Sequence, residues 1–161
     1  MDNKQILNFD NICQWFRDGE KKKDDWLIGT EHEKFLFKKN NFKRLGYEDF
    51  KGIKFILNKI AEEENWQKIS ENNNLIGLKH KSGSSISLEP GGQLELSGAP
   101  LKNLHMTCNE AGLHLNLMKK ISNELDFVTL GLGFDPISKR DQINWMPKNR
   151  YEIMKNYMPV S

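Results

Sequence analysis

The chain alternates between segments with apolar residues at helical spacing and shorter segments in which every second residue is apolar. Helical spacing predicts four helices, at residues 3–18, 47–60, 100–125 and 148–157. Asp2 is a suitable N-cap for the first helix, and Pro100 suits the first turn of the third, where its missing N–H needs no partner. The apolar stripe of the third helix is predicted to include Leu104, Cys108 and Leu115.

Strand-like alternation lies between and after these helices. It predicts strands at residues 25–38, 66–69, 75–79, 84–89, 93–97 and 127–134. Turns at residues 81–83 and 90–92 join three of them into an antiparallel meander. The chain is long enough for one domain with a real core. We therefore expect residues 1–161 to form a single α+β domain.

Two of the predicted strands each carry a pair of glutamates. Glu31 and Glu33 lie two residues apart and share one strand face, and Glu89 and Glu95 point away from the apolar face of their hairpin. Carboxylates held close together repel one another unless protons or cations neutralise them, and oxygen ligands suit Mg²⁺, Mn²⁺ or Ca²⁺ rather than zinc. The pattern predicts a hard-metal site, and the alternative is a sheet face that is simply solvated.

The length of the hairpin loop decides whether the second pair of glutamates shares a face. A two-residue loop would pair Glu89 with Leu94 and put the two carboxylates on opposite faces. A three-residue loop over residues 90–92 pairs Glu89 with Gln93 and places Glu89 and Glu95 together. The apolar residues of both strands require the same parity. We therefore predict the three-residue loop, in which a glycine supplies the positive φ without steric cost.

Other ionisable residues have weaker claims to a site. His32 lies on the strand face opposite its two neighbouring glutamates, so we predict a packing histidine or one that supports a ligand. Lys34 shares that face, which argues against a contact with phosphate. His114 is predicted to be structural or exposed, and Cys108 to behave as a small hydrophobe on its helix.

Composition narrows the class of protein. The 24 basic and 22 acidic residues nearly balance, which makes no case for a nucleic-acid or membrane partner. Two cysteines, Cys13 and Cys108, make neither a disulfide framework nor a metal-binding spacing. The first residues, MDNKQILNF, do not resemble a secretory signal, and no long apolar segment follows. A cytoplasmic location is the expectation.

Three strings in the chain carry a resemblance to a known family. GTEHEKF, SLEPGGQLELSGAPLKNLHMTCNE and WMPKNRYEIMKNYMP resemble the amino-terminal part of glutamate–cysteine ligases of the plant and proteobacterial type. The similarity extends from about residue 24 to residue 159. It implies part of a fold like that of glutamine synthetase, an antiparallel sheet over the active site with helices packed on one side.

The resemblance also implies an activity and a set of site residues. Such enzymes use ATP and Mg²⁺ (or Mn²⁺) to join the glutamate γ-carboxylate to the cysteine amine through γ-glutamyl phosphate, the first step of glutathione biosynthesis. No residue of the chain is expected to act as a nucleophile. The predicted metal ligands are Glu31, Glu33, Glu89 and Glu95. The predicted substrate-binding residues are Arg150 and Tyr157.

Family members are several hundred residues long, so residues 1–161 are expected to be an amino-terminal fragment of the catalytic domain. Such a fragment would be inactive without the carboxy-terminal part. Two alternatives stay open. One is a related γ-glutamyl ligase with another amine acceptor, and the other is a non-catalytic metal-binding or interaction domain.

Overall fold

A six-stranded antiparallel sheet forms the framework of the protein, whose computed structural model describes residues 8–158. The strands are β1 (Glu31–Lys38), β2 (Gln67–Glu71), β3 (Asn74–Lys79), β4 (Ser85–Leu88), β5 (Leu94–Ser97) and β6 (Phe127–Leu130). The helices are α1 (Phe9–Asp18), α2 (Ile53–Glu64), α3 (Leu104–Leu125) and α4 (Asn149–Tyr157), with short 3₁₀ turns at Lys23–Asp25 and Arg140–Gln142. The strand order is β2-β3-β4-β5-β1-β6, which confirms the predicted α+β class.

One face of the sheet is apolar, and residues of α2 and α3 are buried with it in a single core. Strand alternation directs the side chains of Leu36, Leu78, Ile86, Leu88, Leu94 and Leu96 to this face. From the helices, the core takes Ile53, Ile56, Leu57 and Ile60 of α2 and Leu117, Met118 and Ile121 of α3. The opposite face carries the glutamates of β1 and β5 and, farther along β1, the buried rings of Phe35 and Phe37. Among the described helices, none is both long and apolar enough to cross a membrane.

The first two helices begin later than predicted. Helix α1 starts at Phe9, and Asn8 caps it by accepting a hydrogen bond from the backbone N–H of Asn11. The predicted cap, Asp2, lies outside the described residues. Helix α2 starts at Ile53 rather than at Tyr47, because residues 49–52 form a turn that ends at Gly52, the N-cap, where a Cβ would collide with the carbonyl oxygen of Gly46.

Helix α3 also starts later than predicted, and a different stripe of it is buried. Asn103 is its N-cap, accepting from the backbone N–H of Met106, so Pro100 precedes the helix. The predicted stripe was wrong in its first half: Leu104 is 66% exposed, Leu115 is 52% exposed and Cys108 is exposed. The buried residues are Thr107, His114, Leu117, Met118 and Ile121. Helix α3 has apolar residues on more than one of its sides, so helical spacing alone does not determine which stripe packs against the sheet.

Two strands are shorter than their alternating patterns. The first was predicted from residue 25, but β1 begins at Glu31 and only an isolated bridge at Ile28 precedes it. The last was predicted to reach Phe134, but β6 ends at Leu130. In both segments the alternation of apolar and polar residues extends beyond the residues that pair with a neighbouring strand within the described part of the chain. A strand is defined by that pairing, so each strand is shorter than its pattern.

The β4–β5 hairpin has the predicted three-residue loop. The backbone N–H of Glu89 donates to Gln93 O at 2.9 Å, and that of Gly92 donates to Glu89 O at 2.8 Å. Gly92 has a φ of +82°, as the loop requires. Glu95 pairs with Ser87 of β4, so Glu89 and Glu95 lie on the same polar face.

Replacing Gly92 with valine should lower the free energy of unfolding by roughly 2–4 kcal/mol, because a β-branched residue tolerates positive φ poorly and the site is full. A Cβ at this position would lie 3.0 Å from both Ile53 Cδ1 and Met146 Cε. Urea denaturation would measure the change. Gly133→Val is the matched control, since a Cβ there meets nothing within 4 Å. Equal losses in both variants would contradict the proposed role of the loop.

Candidate metal and substrate site

The polar face of the sheet brings both glutamate pairs together. Glu33 of β1 stands directly opposite Glu95 of β5, and Glu31 stands opposite Ser97. The hairpin places Glu89 on this face as well. The two residues on β1 are exposed, whereas Glu89 and Glu95 are partly buried. All four predicted metal ligands therefore lie on one face of the sheet: two on β1, one on β5 and one in the residue that follows β4.

The carboxyl groups in the centre of this face lie within electrostatic reach of one another. Burial raises the pKa of Glu89, and a hydrogen bond with Glu95 and the charges of Glu95 and Glu33 raise it further. Lys148 acts in the opposite direction. A hydrogen bond between two carboxyl groups requires that one of them carry a proton. When both Glu89 and Glu95 are ionised, their negative charges repel one another. A cation bound between them would relieve the repulsion.

The chemistry of these groups fits a hard cation. Ser87 and Ser97 donate their hydroxyl hydrogens to the two oxygens of Glu95 at 3.2 and 3.1 Å, which fixes the orientation of that carboxylate. Oxygen ligands of this kind suit Mg²⁺ or Mn²⁺. Within residues 8–158, however, no three histidine, cysteine, aspartate or glutamate side chains converge closely enough to hold a metal ion as they stand. The ligand set therefore stays a prediction.

A buried ion pair borders this face at the far end of β1, and the sequence reasoning missed it. Arg44 Nη1 lies 2.7 Å from Asp135 Oδ2, and both side chains are only 8% exposed. The guanidinium carbon lies 4.7 Å from the ring centre of Phe35, which shares a strand face with Glu33. A second nitrogen of Arg44 donates to Gly91 O. The pair thus ties the hairpin loop to the segment after β6.

Lys148 and Tyr151 lie beside the glutamates and were also missed. Lys148 Nζ donates to Leu88 O at 2.7 Å, and the hydroxyl of Tyr151 donates to the same oxygen. Burial lowers the pKa of Lys148, Arg150 lowers it further, and Glu89 acts against them. The string WMPKNRYEIMKNYMP contains both residues. Their three-residue spacing at a helix start was the signal that could have identified them.

The two predicted substrate-binding residues differ in their positions. Arg150 Nη2 donates to the hydroxyl of Tyr151 at 3.0 Å. This hydrogen bond raises the pKa of Arg150, and the charges of Glu89 and Glu95 contribute, so the guanidinium lies near the glutamate face. Tyr157 is 87% exposed near the end of α4, and its hydroxyl makes no hydrogen bond to the described residues. Both roles stay predictions.

His32 and Lys34 lie on the helix-covered face, as their alternation predicts. Their strand partners are Leu96 and Leu94, whose side chains belong to the core. Lys34 is buried. Neither residue therefore faces the glutamates.

Plant enzymes are similar to most of this chain. Over 153 residues it is 49% identical to the chloroplastic glutamate–cysteine ligase of Medicago truncatula, a match that covers 95% of this chain and 29% of the relative. The Arabidopsis thaliana enzyme is 47% identical over the same share of this chain, and glutamate–cysteine ligase A of Oryza sativa subsp. japonica is 48% identical. The chain spans less than a third of the length of these relatives.

These relatives correct the predicted location. Each of the three is a chloroplastic enzyme, so the prediction of a cytoplasmic protein was wrong. That prediction depended on near-neutral charge, two cysteines and the lack of a secretory signal. These properties do not distinguish the cytoplasm from the interior of a plastid, because the address of a plastid protein is a separate targeting segment.

The family assignment depends on more than individual relatives. A profile of glutamate–cysteine ligase family 2 matches residues 27–161, a range that contains every strand of the sheet and all four glutamates. The three strings that suggested the resemblance fall inside it. The chain therefore belongs to glutamate–cysteine ligase family 2.

Proposed function

We propose that this chain supplies one side of the active site of an ATP-dependent ligase that joins the γ-carboxylate of glutamate to the amine of cysteine. The observation that carries the proposal is the convergence of two glutamate pairs on one sheet face, through the pairing of Glu33 with Glu95 and the loop after Glu89. Membership of the family and the names of the relatives support the reaction class. By the same relatives, we infer a plastid as the location.

Glu31, Glu33, Glu89 and Glu95 are the residues that would hold Mg²⁺ or Mn²⁺. When bound, the metal supplies positive charge for the phosphate oxygens of ATP. The protein orients these ligands by strand pairing and, at Glu95, by hydrogen bonds from two serines. Rigid strands hold charged groups with less freedom than loops do, and precise placement of charge is what phosphoryl transfer requires.

The substrates supply the bonds that form and break. The glutamate γ-carboxylate attacks the γ-phosphorus of ATP, forms γ-glutamyl phosphate and releases ADP. The cysteine amine then attacks the acyl carbon, loses a proton and displaces phosphate. No protein nucleophile takes part. Arg150, close to the glutamate face, would bind an anionic group of the substrate.

Lys148 and Tyr151 have a positioning role in this proposal. Both side chains hydrogen-bond Leu88 O, the last carbonyl of β4 before Glu89. They therefore hold the start of the hairpin loop in place. Because Glu89 and Glu95 depend on that loop for their common face, a change at Lys148 would act on the site through the backbone.

Mg²⁺ should raise the melting temperature of the chain, since binding only to the folded state stabilises it by mass action. At a metal concentration about 100-fold above Kd, the gain is about 2.7 kcal/mol, or roughly 5–10 °C for a chain of this size. Glu33→Gln and Glu95→Gln should each lose most of that increment. Differential scanning fluorimetry with and without Mg²⁺ would measure it.

Glu62→Gln is the matched control, because Glu62 is an exposed residue of α2. It should keep the full Mg²⁺ increment. Melting temperatures in the absence of metal correct for any direct effect of each substitution on folding. The same loss of increment in all three variants would count against a specific site on the glutamate face.

A further inference from the structure

Lys34 is a buried cation for which the described residues provide no partner. It lies on the helix-covered face of β1, opposite Leu94, and is only 6% exposed. Burial lowers its pKa. Within residues 8–158, no hydrogen bond or ion pair joins its ammonium to another group, and its nitrogen is not among the fully enclosed polar atoms. An ammonium that is partly withdrawn from water is stabilised by an anionic neighbour. The position therefore calls for an anionic partner.

The side chains nearest to Lys34 do not meet that need. His32 shares its strand face, and His114 of α3 is 6% exposed. Burial lowers the pKa of His114 to about 4, and the charges of Lys34 and His32 add to this effect. The Nε2 atoms of both histidines are buried and have no hydrogen-bond partner among residues 8–158. None of the three groups carries negative charge.

A cavity of about 620 Å³ at the edge of the sheet gives access to His32 and Lys34. It exists because β6 pairs with β1 only over residues 35–38, so the preceding half of β1 has no neighbour on that side among the described residues. The lining includes His32, Lys34 and Thr129, whose side chain lies on the same sheet face since it pairs with Leu36. Gly131 and Gly133 line the cavity without filling it.

We propose that Lys34, with His32 and Thr129, forms an anion-binding site for one carboxylate or phosphate group. The lysine supplies the charge, and the imidazole of His32 and the hydroxyl of Thr129 supply hydrogen-bond donors. Glu31 and Glu33 also line this cavity, but strand alternation directs their side chains toward the opposite sheet face. The anion is either free in solution or an acidic side chain from the additional length that the relatives have.

The side chains that would bind the anion lie on the face of β1 opposite the glutamate side chains, and their ligand is an anion rather than a cation. The inference does not depend on the proposed ligase activity. Metal binding and anion binding can therefore be lost independently. The two proposals make different predictions for the same chain.

Inorganic phosphate is the probe, compared with chloride at equal ionic strength. It should raise the melting temperature of the unmodified chain by roughly 3–8 °C at saturating concentration, and should shift the imidazole ¹⁵N resonances of His32. Lys34→Met keeps an unbranched apolar side chain, removes the ammonium and should abolish both effects. In chloride, this variant should be at least as stable as the unmodified chain, because it removes an unpaired buried charge.

Lys79→Met is the matched control, since Lys79 is an exposed lysine on β3. It should respond to phosphate as the unmodified chain does. An equal response in all three proteins would show a general salt effect, and no response in the unmodified chain would show that the site does not bind. Either result overturns the proposal.

A longer chain distinguishes the two sources of the anion. Joined to the region of the Medicago truncatula ligase that follows the match, the protein either retains the Lys34-dependent phosphate response or loses it. Retention shows that the site takes a free anion. Loss, together with destabilisation by Lys34→Met in the longer protein, shows that an acidic side chain occupies it. If Lys34→Met changes neither the phosphate response nor the stability of the longer protein, the proposal is wrong.

Discussion

The isolated chain of 161 residues should form no measurable γ-glutamylcysteine when it is given ATP, Mg²⁺, glutamate and cysteine. It corresponds to about 29% of the Medicago truncatula relative. Phosphoryl transfer requires that both ATP and the acceptor be positioned, and loss of either set of contacts removes most of the rate. Phosphate release and mass spectrometry of the product would measure turnover. Product formation by the chain alone would contradict the proposal that it is one side of a larger site.

Joining the chain to the region of the Medicago truncatula ligase that follows the match should restore activity. In that longer protein, Glu95→Gln should lower kcat/KM on the order of 10²-fold, since loss of one charge from the proposed metal ligands weakens transition-state stabilisation. Glu62→Gln, on the outer surface of α2, should leave kcat/KM unchanged. Equal kcat/KM values for the two variants would show that Glu95 has no role in the active site.

The same longer protein separates the alternatives for function. Phosphate release that depends on an amine other than cysteine would indicate a related γ-glutamyl ligase. Binding of Mg²⁺ without turnover for any amine would favour a non-catalytic domain. Cysteine-dependent release supports the proposed reaction.

Replacing Asp135 with alanine should lower the free energy of unfolding by about 3–5 kcal/mol, which is roughly 6–20 °C in melting temperature. The change leaves the guanidinium of Arg44, only 8% exposed, without its counter-ion. It also removes the acceptor for the backbone N–H groups of Ile137 and Ser138. Chemical denaturation would measure the loss.

Glu48→Ala is the control, because the ion pair of Glu48 with Lys54 is solvent-accessible and should contribute no more than about 1 kcal/mol. Replacing Arg44 and Asp135 together, by methionine and leucine, should recover much of the stability, since no charge is then left buried. A loss at Asp135 no larger than at Glu48 would show that the buried pair is not important for stability.

The contribution of Asp135 should also depend on pH. Burial acts to raise its pKa, but hydrogen bonds from the backbone of Ser138 and Ile137 and from Arg44 outweigh burial and lower the pKa to about 2. The folded pKa lies below the ordinary value of 3.8, so the stabilisation is complete above that value and is lost as the pH falls toward 2. The difference between the unmodified chain and Asp135→Ala should therefore shrink between pH 5 and pH 2.

Local patterns in the sequence determined the elements and the positions of the glutamates. Strand alternation depends only on neighbouring residues, so it placed Glu31 and Glu33 on one face and Lys34 on the other. Apolar parity and the glycines at positions 91 and 92 determined the hairpin loop, and with it the common face of Glu89 and Glu95. The class of fold followed from the same patterns.

Tertiary structure decided which of several possible surfaces became buried. The apolar residues on α3 allowed more than one stripe to face the sheet, and packing chose the stripe with His114 rather than the one with Cys108. The ends of β1 and β6 likewise depended on where a neighbouring strand was present. Helical or strand periodicity indicates which residues can be buried together, but only a packing partner determines which are.

Contacts between distant parts of the chain were beyond the reach of any local pattern. Arg44 and Asp135 are 91 residues apart, and Lys148 reaches a carbonyl 60 residues earlier in the chain. A surface arginine and a buried one have the same sequence signal, because burial of a charge depends on the counter-ion that the fold brings to it. The sequence by itself therefore identified the glutamates through their spacing, and only the tertiary structure revealed the cations that surround them.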